Sequence, residues 1–173
     1  MNDISRIKDL AIDRYHGDRL GDNGPAHWDR AWENAKMLIP ITKANATVVQ
    51  LFCYLHDCCT VHDGHEPEHG PAAAFFIKQN KKSFSFLSAV EFKLLVDACA
   101  GHTFHLLSQS ATIGTCWDAD RLDLGRFGIY PQHAFFSTQA AKNPAVIERA
   151  YQNSIACYGN NLDSSYHAVP ICK

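Results

Sequence analysis

ATVVQLFCYLHD, residues 46–57, is the stretch on which the fold turns. Val48, Val49, Phe52 and Leu55 recur at helical spacing, so the spacing predicts a helix from about Ala46 to Asp57. Its last two residues, His56 and Asp57, are both metal-ligating types placed at the end of an apolar run. Neighbouring helical residues point about 100° apart, yet both side chains can flank one ion lying over the groove between them.

Upstream, Ile4, Ile7, Leu10 and Ala11 mark one face of a first helix. A Gly-rich loop, Gly17 to Gly24, then leads to Pro25, which suits a first helical turn because its missing N–H costs nothing there. The second helix carries His27, Trp28, Ala31, Ala35 and Leu38 and is expected to stop before Pro40. Downstream, Cys58 to Glu66 reads as a loop rich in ligand-type side chains. A fourth helix follows Pro67 or Pro71 and includes Ala72 to Ile77, with Asn80 to Lys82 ending it. Ser88 and Glu91 form a capping-box pattern before a fifth helix that ends near Gly101. A sixth is expected from Ile113 to Leu124, stopping at Gly125 or Gly128, and Asn143-Pro144 opens a last one over Ala145 to Tyr158. Period-two alternation is scarce. The expectation is an all-α chain: one bundle of six to seven helices over residues 1–159, with 160–173 as a polar tail.

Composition narrows the function classes. The 173 residues are 46% hydrophobic and 20% charged, with a formal net charge of -2, ordinary for a soluble domain with a real core. No block of Lys or Arg supplies the concentrated basic surface that nucleic-acid binding needs, so no nucleic-acid partner is expected. Met1 to Leu10 lacks the basic and apolar regions of an export signal. No apolar run approaches the ~18 residues of a membrane span, so no membrane partner is expected either. The seven cysteines are then read as reduced thiols of a cytoplasmic protein. Cys58-Cys59 lacks CxxC spacing and reads as small buried residues at a helix end.

The ten histidines are unevenly spread, and six of them (His56, His62, His65, His69, His102 and His105) fall within one stretch. His27 on the second helix and the segment Asp118-Ala-Asp-Arg-Leu-Asp123 on the sixth add further ligand types. Three helices packed side by side would present these groups to one cavity. His16, His105, His133 and His167 read as surface or loop residues, and Trp28, Trp32 and Trp117 as packing around the site.

The order His27, then His56-Asp57, then Asp120 resembles the pattern of the HD-domain superfamily of metal-dependent phosphohydrolases. Trp117-Asp-Ala-Asp-Arg-Leu-Asp-Leu-Gly125 is similar to the closing A-D-R-L motif of many members. His27-Trp28, Leu55-His-Asp57, Asp63-Gly-His-Glu-Pro-Glu-His-Gly70 and Thr112 to Arg126 are similar to the hallmarks of small uncharacterised bacterial HD-domain proteins. The Gly-Lys after the HD pair and the G-Y-P signature of cyclic-dinucleotide-cleaving members are absent, as are the synthetase signatures of stringent-response enzymes. The likeness is therefore to a stand-alone HD domain.

That resemblance implies His27, His56, Asp57 and Asp120 as metal ligands, with Asp118 as the runner-up for the last place. Asp118 and Asp123 are otherwise helix-surface or supporting carboxylates. A second metal, where members hold one, implies His69 and His102, with His65 behind them. The cofactor implied is one or two divalent ions (Mn, Mg, Fe, Co, Ni or Zn). The reaction implied is hydrolysis of a small phosphorylated substrate, a phosphomonoester or nucleotide, through metal-activated water. Asp57 would orient the water or bridge two ions, and His69 or His102 would touch substrate. Arg121 would pair with Asp120 or with a substrate phosphate. Two other functions fit the same residues. One is oxidation at a mixed-valent di-iron centre, for which His27, His56, Asp57, His69, His102 and Asp120 stand in the right order. The other is a non-catalytic ligand-binding protein that keeps a metal for stability. Oligomeric state is left open.

Overall fold

Asn45 organises the bundle. In the computed structural model, which describes residues 3–61 and 66–158, the Asn45 side chain accepts a hydrogen bond from Val48 N–H at 3.0 Å and so caps α3 (Ala46–Leu55). Such a cap stabilises a helix by about 1 kcal/mol. The same residue reaches two other helices. Its backbone N–H donates to Thr112 Oγ1 at 3.1 Å, in the first turn of α6 (Ala111–Arg121). Its Nδ2 donates to Glu91 Oε1 at 2.9 Å, in the first turn of α5 (Ala89–Gly101). Three helices of 10, 13 and 11 residues thus start level and run side by side in one direction. Rising ~1.5 Å per residue, they bring their C-termini to a common end.

Helix α3 lies at the centre. Val48, Val49, Leu51, Phe52, Cys53, Tyr54 and Leu55 are all buried, and a helix apolar on every side belongs among other helices. Around it pack α5, α6, α1 (Asp3–Arg14) and α2 (Pro25–Thr42). Helix α4 (His69–Gln79) packs against α5, and α7 (Pro144–Tyr158) rests on α2 and on the 3-10 turn Leu124–Phe127. Seven α-helices and no strand occur among the described residues, so the all-α bundle is as the sequence implies. The 160–173 tail lies outside the described residues, and no helix among them is long and apolar enough to cross a membrane.

Some boundaries shift. Helix α2 passes through Pro40 and closes at Lys43, whose left-handed backbone (φ 58) aims its N–H at Ile39 O. Pro40 lies in the last turn with its side exposed, so it forfeits one hydrogen bond while its neighbours hold the turn. Helix α6 ends at Arg121, and the chain tightens into the 3-10 turn Leu124–Phe127, stopped by Gly128 at φ 70. The capping box of α5 forms in full, Ser88 and Glu91 each bonding the other's backbone.

Candidate metal centre

The parallel start of α3, α5 and α6 decides where the site forms. At their far ends stand His56 and Asp57, just past α3; His102, the C-cap of α5; and Asp120, in the last turn of α6. The N-terminal turns of α2 and α4 add His27 and His69. Three helix C-termini present their negative dipole ends to this spot, against the positive ends of α2 and α4, so the dipoles favour a cation only by their difference.

The six side chains form two groups that share Asp57. In the inner group, His27 Nε2 and His56 Nε2 are 3.1 Å apart. Asp57 Oδ2 lies 3.6 Å from the first and 3.3 Å from the second, and Asp120 Oδ1 lies 3.3 and 3.7 Å from them. In the outer group, His69 Nε2 and His102 Nε2 are 2.9 Å apart, and Asp57 Oδ1 lies 3.0 and 3.5 Å from them. One carboxylate therefore turns one oxygen to each group. Donor atoms from His27, His56 and Asp57, and from Asp57, His69 and His102, cluster closely enough to hold a metal ion.

The far side of each ring shows what the near side is for. His27 Nδ1 bonds Asp123 Oδ2 at 2.7 Å. His56 Nδ1 bonds the carbonyls of Phe52 and Cys53, both at 3.2 Å. His102 Nδ1 bonds Cys99 O at 2.8 Å, and His69 Nδ1 bonds Glu66 O. Every one of these partners can only accept, so all four Nδ1 atoms carry the proton. In the neutral rings, all four Nε2 lone pairs then face the cluster, the orientation of metal-ligating imidazoles. Two facing lone pairs about 3 Å apart repel unless a proton or a cation lies with them. The donor set, four imidazoles with two carboxylates, suits divalent transition metals and fits such an ion.

Electrostatics agree. Burial works to lower the His56 pKa, but Asp57 and Asp120 overcome it and push it up to about 10. Burial opposes ionisation of Asp57, yet His56, His102 and His69 hold its carboxyl well below the usual range. Burial likewise opposes ionisation of Asp120, against which His27, His56 and Arg126 hold it ionised. In the outer pair, burial lowers His102, while Asp57 overrides burial and raises His69. In the inner pair, the proton that the two carboxylates hold on His56 marks a place where positive charge is favoured.

The sequence singled out residues that the structure sorts differently. Asp120 faces the cluster, whereas Asp118 is fully buried elsewhere and accepts from the backbone N–H of Ser137 and Thr138 at 2.7 and 2.8 Å. It pins a loop. Asp123 is the carboxylate behind His27, and Arg30 Nε donates to it at 2.8 Å, as does Ser154 Oγ. Arg30 was missed by sequence reasoning, although its position three residues after His27 on one helix face is the signal. Arg121 does not pair with Asp120, and its placement gives no support to the substrate role. Its guanidinium donates to the carbonyls of His105, Leu106 and Phe135, tying two loops together. The arginine that does approach Asp120 is Arg126, Nη2 lying 3.6 Å from Oδ1. His62, Asp63 and His65 lie outside the described residues, as does His167.

Packing explains the remaining features. Cys58 and Cys59 are buried core residues. Trp28 and Trp117 are buried, their indole N–H groups donating to Asn23 O and Ala98 O. His16, His105 and His133 are exposed, His105 stacking on Trp117. Gly70 permits the close approach of α4 to α5, since a Cβ there would lie 2.7 Å from Cys99 O and 3.1 Å from His102 Cε1.

No family model and no curated protein matches the chain. Among solved structures, the fold matches that of a predicted HD superfamily hydrolase from an uncultured Thermotogales bacterium. The identity is 20%, the TM-score 0.65, and the match covers 91% of this chain and 90% of that one. The chain thus shares the helical fold of that protein, and its own His and Asp groups lie close enough together to hold a metal ion.

Proposed function

We propose that this protein is a metal-dependent phosphohydrolase with a binuclear centre, acting on a small phosphorylated substrate. The observation that carries the reading is the set of four buried or half-buried imidazoles, each with Nδ1 tied to an acceptor and Nε2 turned to one of the two oxygens of Asp57. His27, His56, Asp57 and Asp120 would hold the inner ion; Asp57, His69 and His102 the outer one. When bound, such ions lower the pKa of water and polarise a phosphoryl oxygen. The chain's own part is placement. The Nδ1 acceptors fix ring direction, Asp57 ties the two halves to one spacing, and the surrounding core keeps bulk water from the inner histidines. The outer half supplies fewer protein donors and includes the more exposed His69.

Metal analysis of the purified protein, followed by a panel of phosphomonoesters and nucleotides under several divalent metals, tests this. Wild type is expected to hold up to two metal equivalents and to turn over at least one phosphoester, while His56→Ala and Asp120→Ala lose both properties. A wild type without metal affinity sinks the proposal.

A second reading draws on the same geometry. All six residues of the order H…HD…H…H…D meet in one cluster, as a mixed-valent di-iron oxygenase would require. Iron content with oxygen uptake favours that reading; turnover with magnesium or manganese without oxygen favours hydrolysis.

A further inference from the structure

We propose that Arg126 is the residue that grips the substrate's phosphoryl oxygens, through the side-on edge of its guanidinium, Nε and Nη2. This inference rests on the hydrolytic reading above and assigns that site its phosphate-binding residue.

Arg126 sits in the 3-10 turn that follows α6, six residues beyond Asp120. Its side chain is only 7% exposed. Nη1 is used, donating to Asp123 O at 3.1 Å. The opposite edge is not. Nε is buried with no hydrogen-bond partner. Nη2 lies on the side of the His and Asp cluster, but its 3.6 Å from Asp120 Oδ1 is too long for a hydrogen bond. Phe127 lies against the guanidinium at 4.4 Å and Asp123 O holds one corner, so the plane is fixed before any ligand arrives. Nε–H and the neighbouring Nη2–H are parallel donors, the pair that takes two oxygens of a phosphate at once.

Leaving a buried charged donor unpaired weakens a fold. Arg121, five residues earlier, shows that this chain can saturate an arginine, since its guanidinium is filled by three carbonyls. The unpaired Nε and Nη2 edge of Arg126, beside the cluster, has the donor geometry that an oxyanion accepts from. Charge points the same way. Asp57, Asp120 and Asp123 outnumber Arg30 and Arg126 by one, so a single divalent ion already makes the site positive. If Arg126 served only to orient Asp120, its fork would be spent on that carboxylate at hydrogen-bond distance.

The test is calorimetric titration of metal-loaded protein with inorganic phosphate, alongside metal content, for wild type, Arg126→Gln, Arg126→Lys and Arg121→Gln. Arg126→Gln is expected to keep its metal and bind phosphate ~10–100-fold more weakly. Arg126→Lys keeps the charge without the fork and should fall between; it serves if the Gln variant does not fold. Arg121→Gln should leave phosphate binding unchanged. Equal phosphate affinity in Arg126→Gln and wild type overturns the proposal and leaves the hydrolase reading standing. Loss of metal together with phosphate in both Arg126 variants also overturns it, assigning Arg126 to Asp120. A metal-loaded wild type that neither binds phosphate nor cleaves phosphoesters removes the hydrolase reading itself.

Discussion

The two halves of the cluster share a carboxylate and little else. His27 and His56 are fully buried, walled by α2, α3 and α6, with Asp120 and Asp57 between them and Asp123 and Arg30 behind. His69 and His102 stand between α4 and α5 with Asp57 as their one carboxylate partner among the described residues, and the His69 side chain is 19% exposed. The inner half could hold an ion on four protein donors. The outer half offers three protein donors, and on the hydrolytic reading an ion there would keep coordination places for water. Where the two differ, variants should separate them.

The largest effect is expected at the one shared residue. Asp57→Ala should empty both halves, taking bound metal from up to two equivalents to near none by elemental analysis; retention of a full equivalent would show the halves to be independent. Next come paired variants. His56→Ala should take bound metal well below one equivalent and abolish turnover, because the outer half alone offers too few donors to keep its ion, whereas His69→Ala should leave about one equivalent in place. If both variants lose the same amount of metal, the asymmetry described above is wrong.

Smaller effects reach each half from behind. Asp123→Asn removes the anionic acceptor behind His27 and should weaken inner metal affinity ~10–100-fold, read by competition with a chelating dye, with outer binding little changed. Gly70→Ala pushes a methyl group toward Cys99 O and the His102 ring. The overpacking should cost about 1–3 kcal/mol in denaturant unfolding, and outer occupancy should fall before inner.

The last difference is in pH. His56 has its folded pKa raised from 6.5 to about 10 by Asp57 and Asp120 against burial. A raised pKa stabilises fully below the unfolded value of 6.5 and is lost as pH rises through about 10. Chelator-treated protein should therefore melt at progressively lower temperature from pH 7 to pH 10. Metal binding should strengthen over the same window, because the ion displaces that proton. A melting temperature flat with pH in the chelated protein would break the link.

How much of this was legible beforehand depends on the range of the interaction involved. Helix α3 and its terminal His56-Asp57 follow from local spacing, and the α5 capping box is a four-residue pattern, so both could be read directly. Pro40 could not, because one lost hydrogen bond in a last turn is decided by what surrounds it. The choice between Asp118 and Asp120 was open on spacing alone. It is made by rotation of α6 against its neighbours, which sends Asp118 to a loop and Asp120 to the histidines. Arg121 and Arg126 look alike as residues; packing fills one fork with carbonyls and leaves the other open.

By itself, then, the sequence determined which donors exist, in what order, and on which helix ends they stand, since those are properties of short stretches. Only the tertiary structure decided that the donors form two groups on opposite oxygens of Asp57, and which way every ring faces. Most of the acceptors that orient the imidazoles are backbone carbonyls, which every residue carries and no residue type announces. Their roles come from the parallel run of α3, α5 and α6 away from Asn45, a contact joining residues far apart in the chain.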